Sequence, residues 1–257
     1  MLKRLSVENY ALIDKLDIAF APGLNIITGE TGAGKSILLG ALGLILGNRG
    51  DVAAIRDAQR NCVIEAEFDL SGYRLEGLFA SFDIDYDQQC MIRRVITPAG
   101  KSRAYVNDLP VQLAALRAIG ERLIDIHSQH QTLLLGESRF QTALLDSVAA
   151  HAQLPTILFD EIDTGVSGAI ADKMGEIITN LSGSLQVVNI THLPQVASKG
   201  DHHFLVYKEE TPEGTLSRIR KLSSEARVAE IAKMLSGSAV TAAATEQARL
   251  LLGMEKL

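Results

Sequence analysis

Hydrophobic and polar positions alternate along residues 2–9 (LKRLSVEN) and 15–20 (KLDIAF), the period-two pattern of half-buried strands joined by a short turn. Pro22-Gly23 marks a break. Residues 24–28 (LNIIT) are nearly all apolar, as expected of a short strand covered on both faces. A glycine-rich turn and an apolar helix, SILLGALGLILG, follow. Alternation returns at 62–70, and the stretches 90–97 and 102–107 flank PAGK as a hairpin. A helix is expected over 111–119, a strand over 122–127 and a helix over about 138–151.

The second half has a different rhythm. A strand over 155–160, a helix over 167–181, a strand over 185–191 and a short helix over 194–199 alternate. A hairpin (202–209 and 214–222, turning at residues 212–214) and helices near 224–235 and 239–252 close the chain. Alternating strands and helices predict an α/β fold with a mixed, mainly parallel sheet flanked by helices. The strands of residues 2–20, 62–70 and 90–107 have no helix between partners, which predicts an antiparallel β subdomain beside that sheet.

Composition narrows this picture a little. The 257 residues, 47% hydrophobic, suffice for a sizeable core. No charge-free apolar run reaches membrane-spanning length. The N-terminus, with an acid at Glu8 and no continuous apolar stretch, does not read as a secretory signal. Cys62 and Cys90 sit in strand-like stretches and read as buried free thiols of a reducing cytoplasm. The net charge of -6 neither demands nor excludes a nucleic-acid partner. Basic residues cluster at Arg93-Arg94, at Lys101 and Arg103, and from Arg218 to Lys221, patterns that solvated strand faces also show.

The strongest chemical pattern is GETGAGKS: Gly29, Glu30, Thr31, Gly32, Ala33, Gly34, Lys35 and Ser36. It lies between a predicted strand and a predicted helix, the setting of a phosphate-binding loop. Glycines let backbone N–H groups turn inward around phosphate oxygens, and the helix N-terminus adds positive potential. Lys35 would reach the β- and γ-phosphates, and the Ser36 hydroxyl would reach Mg²⁺. A second metal contact is expected from the end of TILFDE. There Asp160 would hold Mg²⁺ and Glu161 would act as general base on the attacking water. His192, ending the next strand, is a candidate γ-phosphate contact. In HSQHQ, Gln129 is a candidate for the metal or the water, with Gln131 as its competitor.

A phosphate loop, a glutamine loop, an acid pair, an I-D-T-G loop and a histidine loop, in this order, resemble the ABC-type ATPase heads of the SMC-like family. IHSQHQ and FDEIDTGVSG resemble its RecN branch in particular. The resemblance implies an N-terminal head lobe over 1–150 and a C-terminal lobe over 151–257. It further implies ATP-driven work on DNA ends in double-strand-break repair and recombination, with a second copy of the head and the RecA recombinase as partners. Residues 163–165 would touch the partner head. The location implied is the bacterial cytoplasm, at the nucleoid.

Members of that branch carry a long coiled coil between the lobes and an S-G-G-E-type signature before the acid strand. Here the chain passes from ESRFQTALLDSVAAHAQ straight to LPTILFDE, with a junction expected between about 146 and 154. The two LSGS stretches, 181–184 and 235–238, follow the acids and cannot take the signature's place. Two readings therefore stand: an ATPase head weakened by the missing signature, or a non-hydrolysing nucleotide-binding dimerisation module. The head of a different SMC- or RecF-like protein is a further alternative. DNA contact in the head is expected first at Lys101, Arg103 and residues 218–221.

Overall fold

The computed structural model describes residues 1–30, 32, 34–128, 154–212, 214–237 and 239–254. Thr31, Ala33, Gln129 and Gln131 lie outside the described residues. So do the helix expected over 138–151 and nearly all of the expected junction.

The chain begins β1 (Leu2–Tyr10), β2 (Ile13–Ala19), β3 (Leu24–Gly29), α1 (Lys35–Ile45), β4 (Cys62–Asp69) and α2 (Glu76–Ala80). It continues β5 (Gln89–Ile96), β6 (Ser102–Val106), β7 (Leu109–Val111), α3 (Leu113–Gly120), β8 (Ile124–Ser128) and β9 (Thr156–Asp160). It closes with α4 (Gly168–Ser182), β10 (Gln186–Ile190), α5 (Pro194–Ala197), β11 (His202–Thr211), β12 (Gly214–Lys221), α6 (Ser224–Ser236) and α7 (Ala242–Leu251). The helix expected from residue 111 starts two residues later. Residues 109–111 turn back instead to pair with β6, because Asn107 and Asp108 take left-handed backbone conformations and make a tight turn.

Two sheets result. One is antiparallel, in the order β2-β1-β4-β5-β6-β7. Its strands alternate buried and exposed positions, as one covered face requires. The other runs β12-β11-β3-β10-β9-β8, parallel except for β12. It draws strands from both halves of the chain. Its central strands β9 and β10 are buried along most of their length, because helices or the other sheet cover both faces.

α1 is clamped between the sheets. Leu38, Ala41, Leu42, Leu44 and Ile45 are buried there, joining Leu5, Ile64 and Ile92 of the antiparallel sheet to Ile27 and Val188 of the parallel one. That is why its sequence is apolar nearly all round. A second core lies on the opposite face of the parallel sheet, where Met174, Ile178, Ile231 and Ala248 from the C-terminal helices cover Leu24, Ile157 and Val187. Cys62 and Cys90 are buried and unpaired. Among the described residues, no helix is long and apolar enough to cross a membrane.

One polar side chain stitches the sheets together. Gln186, at the start of β10, donates through Nε2 to Leu2 O (2.8 Å) and Ala21 O (2.9 Å). Its Oε1 accepts from Leu2 N (2.9 Å) and the Thr156 hydroxyl (2.7 Å). The group is buried with its hydrogen-bonding capacity fully used. Gln186→Leu would keep the volume and remove four bonds, although Leu2 N would retain the Thr156 hydroxyl at 3.0 Å. We expect a loss of about 2–4 kcal/mol in urea unfolding. A loss below about 0.5 kcal/mol would remove Gln186 as a tie between the sheets.

Candidate functional site

Parallel pairing brings the ends of β3, β10, β9 and β8 to one edge, where ligands of open α/β sheets gather. β3 delivers Gly29 to that edge, β10 delivers Thr191 and His192, and β9 delivers Asp160 and Glu161. Gln129 would follow the end of β8 but lies outside the described residues.

The glycine-rich loop is shaped by contacts that exclude side chains. A Cβ on Gly29 would sit 2.3 Å from Val206 O, inside the backbone of β11. Gly34 precedes α1 with φ 115°, a conformation that β-carbon-bearing residues rarely adopt. Lys35, the first residue of α1, is buried, and its ammonium donates to Gly29 O at 2.9 Å. The same ammonium lies 3.1 Å from Glu161 Oε1. Ser36, one residue on, is exposed. Phosphate loop and acid pair therefore meet at one cation.

Asp160 is half-buried, and its carboxyl lies above the usual carboxylate range. Loss of hydration is the main cause and the neighbouring Glu161 adds to it, while Lys35 opposes. Glu161 adopts φ 46°, left-handed backbone that costs a non-glycine residue on the order of 1 kcal/mol. It is held there by its own N–H, which donates to Ile190 O at 3.0 Å. Thr164 Oγ1 donates to Glu161 O at 2.9 Å from the other side.

The resemblance put Asp163 in a loop that touches a partner head; here it and Thr191, which sequence reasoning missed, fix the surroundings of the acid pair. Asp163 is buried and accepts a hydrogen bond from the Thr191 hydroxyl. Its carboxyl is pushed up chiefly by burial, with that hydrogen bond and His192 working against the shift. His192 Nδ1 lies 4.0 Å from Asp163 Oδ1, and the His192 ring is 47% exposed. Thr164 and Gly165 are exposed while Asp163 turns inward. A buried polar anchor of this kind looks in sequence like any acid of a loop, so only the fold reveals it.

A cleft of about 660 Å³ opens beside the loop, lined by residues that include Gly29, Lys35, Thr191, His192, Lys208 and Lys233. That volume is in the range of small-ligand sites. Lys208, from β11, and Lys233, from α6, had no motif to announce them. Lys233 pairs with Glu30 at 2.7 Å. Below the cleft, the Thr28 hydroxyl donates to Glu230 (3.1 Å) and meets His203 Nε2 at 2.8 Å. His203 therefore carries its proton on Nε2. Burial drops its pKa to about 3.

Residues 1–214 match the RecF/RecN/SMC N-terminal domain. The chain belongs to this family. DNA repair protein RecN of Vibrio cholerae is 37% identical over 155 residues, 60% of this chain and 28% of that protein. RecN of Bacillus subtilis is 42% identical over 151 residues, 58% of this chain and 26% of that protein. The matched stretch thus spans less than a third of these relatives. Among solved structures, the SMC head domain from Thermotoga maritima superposes with a TM-score of 0.65 at 17% identity, over 86% of this chain and 99% of that one. An Smc head bound to the C-winged helix domain of ScpA gives 0.67 at 14% identity, over 87% and 98%. At these identities the likeness shows the fold: an SMC-type head, mixed α/β with an antiparallel sheet beside a mainly parallel one.

The His203 network generates a pH dependence with a definite sign. Below about pH 6.5 the unfolded imidazole takes up a proton, whereas the folded one resists until about pH 3. Unfolding binds a proton across that window, so stability falls as pH falls. His203→Gln keeps a donor for Thr28 and cannot titrate. Its denaturation midpoint should decline less between pH 7 and pH 4 than that of the unaltered chain. Parallel declines would overturn the assignment.

Proposed function

We propose that this chain is the ATP-binding head of a RecN-type protein acting in DNA double-strand-break repair and recombination, with lobes at 1–150 and 151–257. The observation that carries the reading is the buried Lys35 ammonium, held between Gly29 O and the Glu161 carboxylate. It sets the phosphate-binding turn and the acid pair at one point. On this reading residues 29–36 wrap the ATP phosphates, Lys35 exchanges its carboxylate partner for phosphate oxygens, and His192 approaches the γ-phosphate from the cleft wall. Glu161 then becomes available to orient and deprotonate the attacking water, with Gln129 as a second contact.

Magnesium fits the donors present. The exposed Ser36 hydroxyl and the Asp160 carboxylate are hard oxygen ligands. Among the described residues no group of three or more histidines, cysteines or acids could hold a metal unaided. That suits an ion whose remaining ligands are phosphates and water. Bound there, it would offset charge on the β- and γ-phosphates.

The absence of an S-G-G-E stretch before β9 favours binding over turnover. In a head pair that stretch supplies donors to the γ-phosphate bound by the opposite head, so part of the electrostatic stabilisation is lost. This chain accordingly holds Mg-ATP and hydrolyses it weakly or not at all. A second copy would dock on the face carrying Thr164 and Gly165, where Ile170 is 46% exposed. DNA and the RecA recombinase are the further partners, and the bacterial cytoplasm the place.

Titration calorimetry and steady-state phosphate release test this together. Mg-ATP should bind the unaltered chain, and Lys35→Ala should abolish binding. Glu161→Gln should bind and show no residual hydrolysis. Turnover at the rate of an intact head, lost in Lys35→Ala, would refute the crippled-head reading. Absence of nucleotide binding would refute the whole proposal.

A further inference from the structure

Away from the cleft beside the glycine-rich loop, three arginines line one cavity, with no acid beside them among the described residues. Arg94 of β5 is 3% exposed. Its Nη2 donates to the Ser102 hydroxyl at 2.8 Å and to Asn48 O at 3.5 Å, while its buried Nε–H has no partner among the described residues. Burial lowers the pKa of this guanidinium from its ordinary value. Arg94 lines a cavity of about 340 Å³ together with Arg49, just beyond α1, and Arg103 of β6. Arg49 and Arg103 are exposed, and among the described residues no carboxylate lines the cavity.

The other arginines of this sheet are differently placed. Arg93 pairs with Asp108 at 2.8 Å and Glu65 at 3.5 Å. Arg4 pairs with Asp17 at 2.5 Å and Glu67 at 3.0 Å. Acids are plentiful, yet among the described residues none reaches Arg94. A buried cation held only by neutral acceptors is costly, and its stranded N–H is a donor in want of an acceptor. Guanidinium forks beside a serine hydroxyl match a tetrahedral oxyanion in both charge and geometry.

We infer that the cavity of Arg49, Arg94, Ser102 and Arg103 is a phosphate-binding site, separate from the ATP site. The two stand at opposite ends of α1, about 16 Å apart along an 11-residue helix. A phosphate group is the shared chemistry of two sources, a nucleic-acid backbone or a small phosphorylated molecule. Only the former would extend the function proposed above, and the site stands without it.

The test uses the Lys35→Ala chain, so that the phosphate loop does not bind the probe. Inorganic phosphate and a 20-base-pair DNA duplex are titrated separately, the duplex at several salt concentrations. Arg49→Ala/Arg103→Ala, both exposed and tolerant of replacement, should weaken at least one probe by about ten-fold or more. Lys15→Ala/Arg60→Ala, removing equal charge elsewhere, should leave it nearly unchanged. Weakening of the duplex, with a shallower salt slope, identifies the backbone as the source. Weakening of inorganic phosphate alone identifies a small ligand. No difference between the two double variants, or no binding of either probe, overturns the site. Arg94→Lys adds a check on geometry, since it keeps the charge and loses the fork. Loss of nucleotide binding in the unaltered chain would bear on the ATP proposal alone.

Discussion

Parallel pairing of β3 with β10, and of β10 with β9, is the constraint on which the rest depends. Parallel strands must all run toward the same edge, so the segments that follow them meet there however far apart they lie in sequence. Gly29, Glu161 and His192 are separated by more than a hundred residues from first to last, yet the register places Ile27 beside Ile190, and Ile190 beside Asp160. Once that register is set, contact between Lys35 and Glu161 follows from geometry. The register in turn is protected by apolar cover on both faces, with α1 on one side and the C-terminal helices on the other.

Much of this was legible in the chain itself, for identifiable reasons. The phosphate loop announces itself because glycines at 29 and 34 answer to close contacts and backbone conformations that other residues do not tolerate. The acid pair is visible because carboxylates at the end of an apolar strand need a cause. Strand alternation gave β1, β4 and β5 because one face of their sheet meets solvent. β7 was illegible because its pairing depends on a turn through two non-glycine left-handed residues, which have no strong sequence mark. The roles of Asp163, Thr191, His203 and Lys208 were illegible because they arise from neighbours distant in sequence. Arg94 was visible as a basic residue, but an alternating strand does not say which of two adjacent arginines turns into the protein.

The two halves of the molecule treat charge in different ways. On the outer faces of the antiparallel sheet, charges sit in exposed pairs that contribute little stability each. Beside the phosphate loop, Lys35 and Asp163 are buried, Asp160 is half-buried, and each is held by few partners, so each is sensitive to what approaches it. Asp160 and Asp163 both have carboxyl groups shifted upward by burial, one at the end of β9 and one just beyond it. A cation bound beside Asp160 would oppose that shift, since a nearby positive charge favours the ionised carboxylate.

The backbone at Glu161 has a consequence for how such a chain can drift. A left-handed residue is easiest to build as glycine or asparagine, and a carboxylate-bearing side chain at φ 46° makes folding slightly harder. Selection acting on foldability alone would erode the side chain at this position early, because its removal relaxes the main chain. A lineage that no longer used the site would therefore be expected to show its decay first here, before the glycines of the phosphate loop, whose replacement would disturb β11 itself.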